Sequence, residues 1–299
     1  MPPTEPVPSP APMRLIDSHA HLQSDAFAAD LPDVLAAART AGVERLLVPG
    51  WDAGSSAAAV RLAREWLARG WPIDAAVGVH PHDAARATDA DWSAIVELAG
   101  APEVVAVGET GLDFLRMHSP PEAQLANLRR HLRLALDKGK PAILHCRSAA
   151  GRRDAQDALV AELQAAGFGG AATRGVFEDR PPAVLHSYSG PVDYAAAALE
   201  MGLAVAFGGL VFRGGEEASA EAAKLVPADR LLIETDSPYL APPGVPRGDA
   251  SGFRGRRNSP QWVRVAAEWL CEQRRETPAS IGPGLVAAYD TTFRRHSAG

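Results

Sequence analysis

Short apolar runs and longer amphipathic stretches take turns along most of the chain. The runs cover residues 15–16, 45–48, 75–79, 104–107, 142–144, 183–185, 203–207 and 231–233, each short enough for a buried strand. Between them, segments such as 31–40, 55–69, 121–137 and 154–165 repeat apolar residues at the spacing of a helix with one buried face. Strands that alternate with helices pair in parallel, because each helix carries the chain back across the sheet before the next strand begins. Eight such units close most simply into a (β/α)8 TIM barrel, an α/β fold. An open doubly wound sheet fits less well. It usually has fewer strands and a glycine-rich first turn, whereas the first turn here reads Asp17, Ser18, His19, Ala20, His21. After the eighth run come an Arg/Gly/Pro-rich loop and two further helical stretches, read as extra C-terminal helices that close the barrel. Residues 1–13 form a proline-rich arm expected to be disordered, which leaves 14–299 as a single domain without internal repeats.

The chain has 299 residues, a net charge of −6, and 46% hydrophobic and 22% charged residues, which excludes collagen-like, coiled-coil and disordered classes. No apolar run approaches the ~20 residues of a membrane helix. Residues 1–13 lack the basic and apolar regions of a secretory signal, so a cytoplasmic protein with no membrane partner is expected. Cys146 and Cys271 are too few for a disulfide framework or a thiolate zinc site. Lysine is confined to Lys138, Lys140 and Lys224, none at a strand end, which excludes Schiff-base, pyridoxal and P-loop chemistry. The mild acidity argues against a broad basic surface gripping duplex DNA and leaves room for a local basic site.

In a barrel, residues just beyond each strand converge on one pocket. Here they are Asp17, His19 and His21 after the first run, His80 and His82 after the third, and Glu109 and Asp113 after the fourth. His145 follows the fifth run, His186 the sixth, and Glu234 and Asp236 the eighth. Six of the nine histidines therefore stand at strand ends, a distribution that scattered surface histidines would not give. His19 and His21 point to the same side of an extended backbone, as two ligands of one metal must. Imidazole and carboxylate together suit Zn, Mn, Fe or Co. The convergent donors are too many for one ion and suggest two, bridged by Glu109 from the middle of the array. Two ions about 3.5–4 Å apart stabilise both the attacking and the leaving oxygen of a displacement. His118, His131 and His296 lie in loop or helix contexts and are expected to be solvated, and Cys146 is read as barrel packing.

At these residues the chain resembles the TatD family of metal-dependent deoxyribonucleases, within the amidohydrolase-like barrel group. The matching segments are DSHAHL (17–22), GVHPH (78–82), GETGLDF (108–114), PAILHCR (141–147), HSYSG (186–190), ETDSPYLAP (234–242) and RGRRNSP (254–260), in family order. The resemblance implies His19, His21, Glu109 and Asp236 around one ion, and Glu109, His145 and His186 around the other. Ser259 stands where the family usually carries glutamate, either capping the next helix or changing a loop contact. Asp290 replaces an asparagine far from the chemistry. The stretch 167–182 is longer than usual and is expected to alter one wall of the mouth.

The expected enzyme is a metal-dependent deoxyribonuclease, a 3'-5' exonuclease on single-stranded DNA ends, acting as a monomer with two divalent ions (Mg, Mn or Zn). Asp236 and Glu109 are its catalytic groups, Asp236 orienting or deprotonating the attacking water. His80, His82, Arg147, Arg254, Arg256 and Arg257 are the candidate substrate contacts, the arginines because their forked donors match phosphate oxygens. Tyr239 could stack on a base, and Asp17 is read as orienting a metal-binding histidine. Two alternatives stand beside this reading. One is an amidohydrolase, lactonase or aminoacyl-ester (D-aminoacyl-tRNA) hydrolase using the same metal site. The other is an inactive binding barrel, whose signature would be lost ligands.

Overall fold

The computed structural model describes residues 13–246 and 255–294. The proline-rich arm up to residue 12, His296 and Arg254 lie outside the described residues. Eight parallel strands form one sheet in chain order: β1 (Leu15–Asp17), β2 (Val43–Pro49), β3 (Ile73–Val77), β4 (Val104–Asp113), β5 (Ala142–Arg147), β6 (Ala183–Leu185), β7 (Ala204–Phe207) and β8 (Leu231–Ile233). The ring closes just beyond the strand ends. Ser18 donates its backbone N–H to Ile233 (3.0 Å), Asp236 to His19 (2.8 Å) and His21 to Ser237 (2.7 Å). This is the expected (β/α)8 barrel.

The helices are α1 (Leu31–Thr40), α2 (Ala53–Ala68), α3 (Asp89–Leu98), α4 (Pro121–Lys138), α5 (Asp154–Ala165), α6 (Ala171–Phe177), α7 (Val192–Glu200), α8 (Ala218–Leu225), α9 (Val263–Arg274) and α10 (Pro278–Thr292). Their ends follow local chemistry. The Asp52 carboxylate accepts the Ser55 N–H to start α2, and α4 begins at Pro121 and stops at Gly139, whose φ of 60° suits glycine. α10 lies across the N-terminal ends of the strands, where Asp290 pairs with Arg45 and the Tyr289 hydroxyl meets Asp74 (2.9 Å). That end is sealed, so the opposite end carries the mouth.

Two expectations change. The long 167–182 stretch contains α6 and leads into the N-terminal end of β6, so it sits on the sealed face, where Arg180 donates to the Gly139 carbonyl (3.1 Å). It does not wall the mouth. β4 and β5 also run past their apolar residues, to Asp113 and Arg147, so Glu109 and His145 lie within strands. His145 pairs with Gly111 in the ladder, whereas Glu109 sits at an irregularity between Val107 and Thr110 and is tied instead by its backbone N–H, which donates to the Gly50 carbonyl (2.9 Å).

Candidate active site

Glu109 is the centre of the arrangement, buried in β4 with its two oxygens facing separate groups. Oε2 lies 3.3 Å from His19 Nε2 and 3.7 Å from His21 Nε2. Oε1 lies 3.1 Å from His145 Nδ1, 3.0 Å from His186 Nε2 and 3.3 Å from His80 Nε2. Asp236 Oδ1 completes the first group, 3.8 Å from His19 Nε2 and 3.4 Å from His21 Nε2, while those two nitrogens stand 3.3 Å apart. Zinc bonds of ~2.1 Å at tetrahedral angles place ligand atoms about 3.4 Å from one another. His19, His21 and Asp236 lie close enough together to hold a small cation, and Glu109 reaches both histidines of that group.

Two carboxylates behind the site fix ring orientation. Glu234 Oε1 takes His186 Nδ1 at 2.9 Å, and Asp113 Oδ2 takes His145 Nε2 at 3.2 Å, so the opposite nitrogen of each ring faces Glu109. Such partners select the tautomer and raise ligand basicity. Asp113 also holds His82 Nε2 at 2.8 Å. The imidazoles divide in charge state: against burial, Asp236 raises His21, and Asp113 and Glu109 raise His145. Burial opposes ionisation of Glu109, but the His80, His186 and His19 imidazoles beside it hold its carboxyl well below the usual range. Burial lowers His19, and lowers His80 to about 4. Burial also works against a charge on His186, yet the Glu234 and Glu109 carboxylates raise it well above its ordinary value. A divalent ion would displace that proton.

The backbone reaches this density of ligands through glycine. A Cβ on Gly78 would lie 2.6 Å from the Gly108 Cα, and one on Gly111 (φ +140°) 1.9 Å from the His145 carbonyl oxygen. Asp236 (φ +55°) and Ser187 (φ +46°) adopt the left-handed region immediately beside the pocket.

The structure brings His19, His21, Glu109, His145, His186 and Asp236 together, and adds His80 to the group around Glu109. His82 and Arg147 line the cavity above them, whose volume is about 470 Å³. Other expectations are corrected. Arg257 lies away from the cavity, where its guanidinium forks onto Asp30 (2.8 and 2.5 Å), donates to the Ala26 carbonyl and covers the Phe27 ring. Arg256 is exposed and lies outside the cavity lining. Among the described residues Asp17 bonds no imidazole; it accepts from the His19 and Thr235 backbone and the Thr235 hydroxyl, tying the end of β1 to the end of β8. Ser259 occupies the cap position before a short helical turn, without a side-chain cap bond. His131 is fully buried, accepting the Val79 N–H at Nε2 (3.0 Å) and donating Nδ1–H to the Asn127 carbonyl (2.8 Å). Cys146 is buried, with burial pushing its thiol up to about 12, consistent with packing. Trp51, Arg116 and Leu210 also line the cavity and were not singled out from the sequence, and His118, expected to be solvated, is exposed and lines it too. The strand-end rule that found the ligands reaches the first three when applied to aromatic, apolar and cationic residues as well.

Known proteins resemble this chain in sequence and in fold. The family described as TatD related DNase matches residues 16–294. The 3'-5' ssDNA/RNA exonuclease TatD of Escherichia coli is 35% identical over 281 residues, spanning 93% of this chain and 98% of its own. The metal-dependent hydrolase YabD of Bacillus subtilis is 34% identical over 263 residues, spanning 88% and 92%. Among solved structures, the TatD homologue YJJV of Escherichia coli superposes with a TM-score of 0.77 at 29% identity, covering 94% of this chain and 98% of that one. With the ligand cluster intact at the open end of its barrel, the chain belongs to the family of TatD-related DNases.

Proposed function

We propose that this protein is a two-metal nuclease that hydrolyses phosphodiester bonds at single-stranded DNA ends in the 3'-to-5' direction. The observation that carries the reading is Glu109, one carboxylate whose two oxygens each face a separate set of imidazoles. His19, His21, Glu109 and Asp236 would hold one ion; Glu109, His145 and His186 would hold the other, with His80 beside them. When bound, divalent ions such as Mg, Mn or Zn supply positive charge against the phosphate oxygens and make a nearby water more acidic. Asp236 is held ionised against burial by hydrogen bonding to His21 and by the charge of neighbouring imidazoles, which leaves it able to orient that water and take its proton. Arg147 and Arg116 reach the cavity from the ends of β5 and β4 and supply donors to the phosphate. Asp113 and Glu234 act through the histidines that they orient.

A cavity of about 470 Å³ at the end of a barrel favours a strand end over a continuous duplex, and the relatives named TatD act as 3'-5' ssDNA/RNA exonucleases. Both cysteines are free and buried, in keeping with a reducing cytoplasm, and we read the enzyme as a monomer. Digestion of end-labelled single strands, duplex and RNA with Mg, Mn or Zn, beside an ester and amide panel, tests this. Stepwise loss of nucleotides from the 3' end of single strands is expected. Hydrolysis of the carbonyl substrates alone would overturn the reading in favour of a lactonase or aminoacyl-ester hydrolase.

A further inference from the structure

The cavity mouth is chemically two-sided. From the arc formed by β8, β1 and β2 come Trp51, two residues beyond β2, and Tyr239, beyond β8, with the His21 ring between them. The His21 ring centroid stands 5.3 Å from that of Trp51 and 6.0 Å from that of Tyr239, both edge-on. From the arc formed by β4 and β5 come Arg116 and Arg147. In a closed ring of eight strands these arcs face each other across the opening. Trp51 has a rigid footing, since its backbone N–H donates to Ser55 Oγ (2.8 Å) and its carbonyl accepts from the His80 N–H (2.8 Å). Tyr239 is 51% exposed, so its ring is open to a ligand at the rim of the cavity. The metal-ligand cluster lies on the floor between the two walls.

We propose that this mouth seats one terminal nucleotide, its base against Trp51 and Tyr239 and its backbone against Arg116 and Arg147. The inference rests on the nuclease reading and names what that site recognises: an unpaired terminal base of any identity. Every base offers a π-face, so stacking is sequence-tolerant, whereas a paired base has its faces engaged within the helix. Arginine donors facing the aromatic wall would take the phosphate without reading the base. The walls therefore select for a single-stranded end and fix the scissile bond over the floor.

The test uses the metal-loaded full chain and two 5'-labelled single strands, one ending in an ordinary 3' nucleotide and the other in a tetrahydrofuran abasic residue. The rate of the first cut is measured against enzyme concentration. Stacking of one base predicts that the ordinary end is cleaved with about tenfold or greater advantage in kcat/KM, carried by KM. Trp51→Ala and Tyr239→Ala should each bring the ratio between the two ends toward one, with metal content unchanged, and Trp51→Phe should restore most of it. Tyr239 is surface-exposed, so its variant keeps the test valid if Trp51→Ala fails to fold. Equal cleavage of both ends by the wild type, or an equal loss on both ends in the variants, would overturn the stacking wall while leaving the nuclease reading standing. A wild type that cleaves neither strand would overturn both.

Discussion

Asp236 and Arg257 both carry charge after β8, yet their surroundings give them opposite tasks. Asp236 faces two imidazoles and the cavity, so Asp236→Asn keeps the side-chain size and one oxygen while removing the negative charge and the proton acceptor. Loss of a general base costs about 10² to 10⁴ in rate. Single-turnover kinetics should show kcat falling within that range while affinity for a strand end changes little. Arg257 forks onto Asp30 with side chains only 16% and 29% exposed, binding the loop after β8 to the start of α1. Arg257→Ala should therefore lower stability by about 1–2 kcal/mol in denaturant titration, with metal content and KM unchanged. A raised KM at unaltered stability would return it to the phosphate site. The cluster of candidate metal ligands was legible in the sequence because few side chains coordinate metals and strand ends gather them. The task of an arginine was not, because a forked donor fits Asp30 as well as it fits phosphate.

The helix α4 shows where pattern reading fails at the level of an element. Its buried stripe runs through Gln124, Asn127, Leu128, His131, Leu132 and Ala135, so its polar members take the positions of apolar ones and look solvated by type alone. Each is engaged with backbone below the pocket. Gln124 accepts from the Asp113 N–H (2.7 Å), Asn127 donates to the Val79 carbonyl (2.7 Å), and His131 accepts from the Val79 N–H. The helix thereby holds the segments that deliver Asp113 and His80. Strand and helix positions came through clearly because periodicity reports which face is covered, but it does not report what a buried polar group touches. Burial lowers His131 from 6.5 to about 3, so the folded protein keeps it neutral. As pH falls below about 6.5, the unfolded chain takes up a proton that the fold refuses, and stability drops until pH reaches about 3. The slope from this group is at most about 1.4 kcal/mol per pH unit. His131→Gln should flatten the dependence of unfolding free energy on pH between 6.5 and 4; an unchanged slope would show that His131 protonates in the fold.

At the scale of the whole molecule, the barrel separates stability from chemistry. The sealed face carries α10 and the long 167–182 stretch, whereas the ligands, both arginines of the cavity and the aromatic pair stand at the opposite end. The interior between them is apolar and continuous, with residues such as Ile16, Leu47, Val77 and Leu232 fully buried. A core of that extent does not depend on cations, so stripping the metals should abolish hydrolysis while thermal unfolding remains cooperative. The central claim is that one carboxylate joins two cation sites. Its most direct measurement is the number of Mn ions bound per chain, counted by elemental analysis after equilibrium dialysis, for the wild type and for Glu109→Ala with its fold checked by circular dichroism. The account predicts two ions in the wild type and the loss of both, or retention of one at most with weakened affinity, in a folded variant. Two ions retained at full affinity by Glu109→Ala would contradict it.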